Sequence, residues 1–269
     1  MNAPQATHLK KIVAATRASL ARRKAATSHE ELQERARQHR PRGFAAALRA
    51  SAAAGPAIIA ELKKASPSRG LIRAAFDAGT LAAEMADAGA AALSVLTEEE
   101  FFQGSLENLR AASNGVNVPC LRKDFIVDAF QITEARAYGA DAVLLIAAAL
   151  EYGELVDLRE AAAMMELDVL CEVHNEEELM RVIDLNCEMV GVNSRNLKTL
   201  EVNLGVAQDL ADALPRACVR VAESGIYSAE DLRRLRACGY EAFLIGESLM
   251  KQPDPGAALR ALLAAGQEA

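Results

Sequence analysis

At 269 residues the chain has room for two small domains or one large α/β barrel. Apolar residues make up 51% and charged residues 25%, as in an ordinary soluble globular protein, and a net charge of −7 argues against a surface built for nucleic acid. Tryptophan is absent and aromatics are only 4%, so no stacking platform for single strands is expected, and an anionic ligand would need a local positive patch.

The first 29 residues carry six Lys/Arg and no acid, with Leu9, Ile12, Val13, Thr16 and Leu20 at helical spacing. A transit peptide has this look. However, Glu30, Glu31 and Leu32 continue the pattern and no cleavage signal stands out, so an amphipathic helix docking its apolar stripe on the body is preferred. Residues 1–50 are expected to form an N-terminal helical extension packed against one end of that body. No apolar run approaches the roughly 20 residues of a membrane span, and no membrane or nucleic-acid partner is expected.

From residue 57 onward, strand-like runs recur every 21 to 35 residues: Ala57–Leu62, Ala92–Leu96, Val118–Lys123, Asp141–Ile146, Asp168–Val173, Met189–Asn193, Cys218–Glu223 and Ala242–Gly246. Alanine-rich stretches of helical period lie between them, such as Thr80–Asp87, Gln131–Tyr138 and Ala229–Ala237. Strand and helix alternating at this pitch read as βα units. Eight of them predict an α/β protein, a (β/α)8 TIM barrel over residues 57–269 forming one domain with its extension. A doubly wound sheet would want a G-x-G-x-x-G turn after its first strand, and none is present.

Charge gathers at the strand tips. Side chains alternate across a strand with period two. Glu61 therefore shares a side with Lys63, Lys123 with Leu121 and Phe125, Glu172 with Leu170, and Asn193 with Arg195; Glu223 closes the seventh run. In a barrel these tips converge on the face that holds active sites, and buried charge is costly unless paired or used. The loops after the seventh and eighth strands, Ser224-Gly225 and Gly246-Glu247-Ser248, are where this fold cradles phosphate. Ser66 and Ser68, on the adjoining first-strand loop, are placed to turn hydroxyls toward it. Lys64, of opposite parity, is equally a solvated surface lysine or a helper. The five cysteines have no C-x-x-C pair, and Cys120, Cys171 and Cys218 sit in apolar runs. They read as free, buried thiols in a reducing cytosol. Neither the cysteines nor the four histidines form a metal cluster.

Taken together, these segments resemble the indole-3-glycerol-phosphate synthase family: AELKKASPSRG (60–70), SVLT (94–97), FQGS (102–105), RKDF (122–125), GADAVLLI (139–146), EVH (172–174), GVNSRNL (191–197), AESGI (222–226) and GESLM (246–250). They are collinear and cover essentially all of residues 57–251. The resemblance implies a lyase of tryptophan biosynthesis, cytoplasmic, a monomer or weak homodimer, with no metal or organic cofactor. Its substrate would be a small phosphosugar, 1-(2-carboxyphenylamino)-1-deoxyribulose 5-phosphate, converted to indole-3-glycerol phosphate, carbon dioxide and water.

By the same resemblance Lys123 is the general acid for the ketone oxygen, and its surroundings, Lys63 included, are expected to lower its pKa from about 10.4. Lys63 meets the substrate carboxylate or a later proton transfer. Glu172 acts in the dehydration phase, and Glu61 holds the lysines and substrate hydroxyls. Asn193 and Arg195 orient substrate and Glu172, and Glu223 binds polar groups of the substrate. Phe102, Phe125, Leu144, Leu197 and Leu200 enclose the anthranilate ring, though each alone reads as core packing. Ser66, Ser224, Gly225, Gly246 and Glu247 complete the substrate-binding set. Ser194 and Asn196 depart from the residues many members carry; Ser194 faces outward, and Asn196 is expected to alter a supporting contact. Phosphoribosylanthranilate isomerase and an inactive phosphosugar-binding scaffold are the rival readings. Two inward lysines with Glu61 speak against the first, and the completeness of the polar set against the second.

Overall fold

The computed structural model describes residues 7–267; the first six positions of the expected extension lie outside it. Eight strands form a closed parallel barrel: β1 (Ala57–Leu62), β2 (Ala92–Leu96), β3 (Cys120–Lys123), β4 (Ala142–Ile146), β5 (Asp168–Val173), β6 (Met189–Asn193), β7 (Val219–Glu223) and β8 (Ala242–Ile245). Each pairs with its sequence neighbours, and β8 closes on β1 with Ala57 opposite Ala242. A short antiparallel hairpin, Ala65–Ser66 with Gly70–Leu71, rises from the end of β1.

Alternation along the strands sorts two cores. Ile59, Leu121, Leu144, Leu170, Met189, Val221 and Leu244 fill the barrel interior. Their neighbours, among them Ile58, Leu93, Leu145 and Phe243, pack outward against the helices. Helices α4 (Ala78–Asp87), α5 (Leu106–Gly115), α6 (Ala129–Ala137), α7 (Tyr152–Met164), α8 (Glu176–Ile183), α9 (Gly205–Leu210), α10 (Ala229–Ala237) and the pair α11 (Glu247–Met250) and α12 (Pro255–Gln267) form that outer layer. Side-chain N-caps start several of them: Asp77, Ser105, Asp128, Asn175 and Ser228 each accept a backbone N–H of the first turn.

Before the barrel come α1 (His8–Ala26), α2 (His29–Gln38) and α3 (Phe44–Ala52). The predicted stripe of α1 is directed inward, with Ile12, Thr16 and Leu20 buried. Helix α3 closes the end of the barrel at which the strands begin. Its Phe44 and Leu48 pack on the first residues of the strands, and Asp168 at the start of β5 accepts the Ala45 N–H at 2.9 Å. In contrast, α1 runs up the side, where Arg23 pairs with Glu134 of α6 and Arg17 with Glu154 of α7. The expectation that the whole extension packs on one end is thus corrected.

The cysteine reading is corrected too. Cys171 of β5 and Cys187, just before β6, are joined as a disulfide with Cα atoms 6.7 Å apart. Strand pairing brings Cys171 opposite Val190, so a residue three positions earlier lies within reach. Cys120, Cys218 and Cys238 are free. Among the described residues no helix is long and apolar enough to cross a membrane.

Candidate active site

The C-terminal ends of the strands surround a cavity of roughly 850 Å³, counting its open mouth. Its wall holds Glu61, Lys63, Phe102, Lys123, Phe125, Leu144, Glu172, Asn193, Arg195, Leu197, Glu223, Ser224, Gly225, Gly246 and Glu247. Two predicted residues are not in that wall. Ser66 is tied into the hairpin, its hydroxyl 3.4 Å from that of Ser68. Leu200 has a left-handed backbone (φ 66°) and contributes its carbonyl, which accepts Arg195 Nη1 at 3.0 Å. A left-handed loop residue presents backbone where a strand residue would present its side chain.

Three carboxylates and two ammonium groups meet at the floor. Lys63 Nζ donates to Glu61 Oε1 at 2.5 Å. Lys123 Nζ donates to Glu172 Oε2 at 2.9 Å and lies 3.4 Å from Glu223 Oε2. Glu61, Glu172 and Glu223 are all under 5% exposed, so these charges interact with little water between them. Glu223 is in ion-pair range of Lys123, yet neither of its oxygens accepts a hydrogen bond.

The protonation states follow from this crowding. Burial alone would lower the pKa of Lys123, but Glu172, Glu223 and Glu61 together outweigh it and hold the ammonium above the usual lysine range. The expected depression of Lys123 is therefore overturned: Lys63 is occupied by Glu61 and does not offset the carboxylates. Burial would raise Glu172, but Lys123 and His174 keep it ionised well below the usual carboxylate range. Glu223, buried with Glu172 and Glu61 close by, is pushed up to about 8 despite Lys123.

The upper wall comes from the loops. After β7 the chain turns through Ser224 (φ 63°) and Gly225 (φ 82°). A Cβ at Gly225 would lie 2.7 Å from Val202 Cγ1, so both backbone and space require glycine there. After β8, Gly246 opens α11, and Ser248 donates to the Ile226 carbonyl at 3.1 Å, tying the two loops together. The Glu247 carboxylate is taken up by Lys251 (2.5 Å), Arg69 (3.0 Å) and Arg195 (3.7 Å). Asn193 Oδ1 accepts the Arg195 N–H, and Asn196 Oδ1 accepts the N–H groups of Lys198 and Thr199, so Asn196 shapes its own loop.

Sequence reasoning missed several contributors. Leu96, Ile146, Leu244 and Tyr227 also line the cavity; the first three point inward by strand alternation, as Leu144 does. Glu98 accepts the N–H groups of Glu100, Phe101 and Phe102, fixing the loop that carries Phe102. Gly191 matters by what it lacks: a Cβ there would collide with the Glu223 carboxylate. A Cβ at Gly246 would fall 2.5 Å from Glu61 Oε1. His174 stands beside Glu172, with Nε2 3.3 Å from Oε1.

The family model for indole-3-glycerol phosphate synthase matches residues 9–262. The chain belongs to the indole-3-glycerol phosphate synthase family. A relative of that name from Koribacter versatilis is 57% identical over 255 residues, covering 95% of this chain and 98% of the relative. One from Rhodospirillum rubrum is 50% identical over 258 residues, again 95% and 98%. Among solved structures, 3-hexulose-6-phosphate synthase from Salmonella typhimurium shares the fold with a TM-score of 0.63 at 12% identity, covering 78% of this chain and 98% of that one.

Proposed function

We propose that the polar groups over the barrel mouth divide the work of the family's reaction. That reaction is the decarboxylating ring closure of 1-(2-carboxyphenylamino)-1-deoxyribulose 5-phosphate to indole-3-glycerol phosphate, carbon dioxide and water. Its first phase joins the carboxylate-bearing ring carbon to the sugar ketone carbon. Negative charge grows on the ketone oxygen, and Lys123, a fully charged ammonium, gives it a proton. Lys63 meets the substrate carboxylate, with Glu61 holding its ammonium in place. Carbon dioxide then leaves, and its bonding pair restores the aromatic ring.

The second phase removes the new hydroxyl as water and a proton from the adjoining ring carbon. Glu172, kept ionised, is the base for that proton, and the Lys63 ammonium, released when the substrate carboxylate leaves as carbon dioxide, protonates the departing hydroxyl. The two oxygens of Glu223, which accept no hydrogen bond, suit the hydroxyls of the sugar chain. Asn193 and Arg195 steady the loop and its ligand. Phe102, Phe125, Leu144 and Leu197 pack against the aromatic ring. The phosphate rests on the backbone of Ser224–Gly225 and Gly246–Ser248, with Arg195 near; Glu247 contributes backbone there, since its carboxylate is spent on three cations. Counting protons, two are given and one recovered, so each turnover draws one from solvent.

The observation that carries this reading is the Lys123 ammonium inside an enclosed wall of three buried glutamates. Purified protein given the substrate should develop indole fluorescence, with a chelator present throughout. Binding without turnover would favour a phosphosugar-binding scaffold instead.

A further inference from the structure

We propose that His174, locked by Glu178, is a positioning residue for Glu172: an imidazolium that fixes one carboxylate oxygen and keeps the group ionised for its part in the reaction. The proposal rests on the reading of Glu172 given above.

The two oxygens of Glu172 have different neighbours. Oε2 accepts from Lys123, whereas Oε1 faces His174 Nε2 at 3.3 Å. The other ring nitrogen, Nδ1, is 3.0 Å from Glu178 Oε2, which also accepts the His174 backbone N–H at 2.8 Å. Nδ1 is paired with Glu178, while the buried Nε2 makes no hydrogen bond and lies within ion-pair range of the Glu172 carboxylate, a placement that favours a proton on both nitrogens. Glu178 is itself fixed: its Oε1 accepts Asn175 Nδ2 at 2.7 Å, and its N–H caps onto Asn175 Oδ1 at 2.9 Å. The start of α8 is therefore built around this histidine.

Position strengthens the case. Glu172 lines the catalytic cavity, while His174 and Glu178 line a separate groove between α1 and the loops after β5 and β6. The side chain of His174 is 10% exposed, so its charge reaches Glu172 largely unscreened. Other charged groups on the groove are Lys10 and Arg17 of α1, Glu177 and Arg181 of α8, and Arg195, Lys198 and Glu201 after β6. None of them makes an ion pair with the imidazole; Arg181 donates to the Ala147 and Leu150 carbonyls instead. Burial would lower the imidazole pKa, but Glu172 and Glu178 outweigh it and raise it to about 9. Without the ring charge, Glu172 would depend on Lys123 alone, a cation it shares with Glu223.

The test compares three variants by steady-state kinetics across pH. His174→Asn should lower kcat at least about tenfold with KM within about twofold, and move the acid limb of kcat up by about one unit. Glu178→Gln keeps the ring and releases its proton. It should match wild type within about threefold near pH 6 and fall to the His174→Asn rate by about pH 8.5. A purely structural role would not make the defect depend on pH in this way, and the Glu178 variant carries the test even if His174→Asn folds poorly. Glu172→Gln should abolish indole formation. Wild-type kcat and acid limb in His174→Asn, with Glu172→Gln dead, would overturn the positioning role alone. Wild-type turnover in Glu172→Gln would overturn it together with the reading of Glu172.

Discussion

Two clusters of buried charge meet at one peptide bond of β3, between Arg122 and Lys123. Arg122, pointing outward at 1% exposure, donates to Asp124, Thr97, Glu134 and the Gln131 carbonyl. Arg23 of α1 adds a second cation on Glu134. Every oxygen of Asp124 and Glu134 accepts a hydrogen bond. Lys123, pointing inward, has three carboxylates near it, one of which accepts none. The carboxylates of the outward cluster are saturated, with only Arg23 Nη2 left unpartnered, and the cluster ties α1, β3 and α6 together. The inward cluster is left short of donors, which is how a site awaiting a polar ligand looks.

If that contrast is right, the two sides fail differently. Arg122→Met should cost about 3–5 kcal/mol in urea unfolding, because it leaves the buried Asp124 without a cation and Glu134 with Arg23 alone, while folded molecules keep the ability to bind substrate. Lys123→Ala should lower kcat by at least about 10²-fold, the scale of a lost general acid; a stability loss as large as that of Arg122→Met would erase the distinction.

Glu223→Gln sharpens the comparison through pH. Folded, Glu223 keeps its proton to about 8; unfolded, it titrates near 4.5. The folded state therefore binds more protons across that interval. The contribution is complete below 4.5 and is lost as pH rises through about 8. Glu223→Gln should flatten this decline and be more stable than wild type at pH 9, by on the order of 1 kcal/mol, while turning over more slowly. Equal slopes in denaturation from pH 5 to 9 would count against it. Smallest of all, Lys24→Ala removes an exposed pair with Asp128 and should change stability by less than about 1 kcal/mol, measured by thermal melting.

Much of this was legible in the sequence because a barrel translates strand parity directly into position. Ile59 and Glu61, Leu121 and Lys123, and Leu170 and Glu172 alternate in the letters as they do in space. The barrel strands matched their predicted runs to within two residues at either end, as Cys120 replacing Val118 shows. What parity does not carry is the third neighbour. Lys123 reads as a lysine to be depressed by Lys63; only assembly shows Lys63 paired with Glu61 and three glutamates around Lys123. The Cys171–Cys187 bond depends on register across β5 and β6. Leu200, named by the resemblance alone, is kept out of the wall by its left-handed backbone, and Ser66 by the hairpin into which the chain doubles back. His174 lay unread inside a quoted motif, since its role depends on Glu178, four residues on and on a different element.

In the proposed division of labour, Lys123 drives ring closure and Glu172 the later loss of water. A single-turnover experiment that follows carbon dioxide release and indole fluorescence together tests it most directly. Lys123→Ala should release neither at an appreciable rate, whereas Glu172→Gln should release carbon dioxide and form no indole. Loss of both signals to the same degree in the two variants, or indole formation by Lys123→Ala at the wild-type rate, would contradict it.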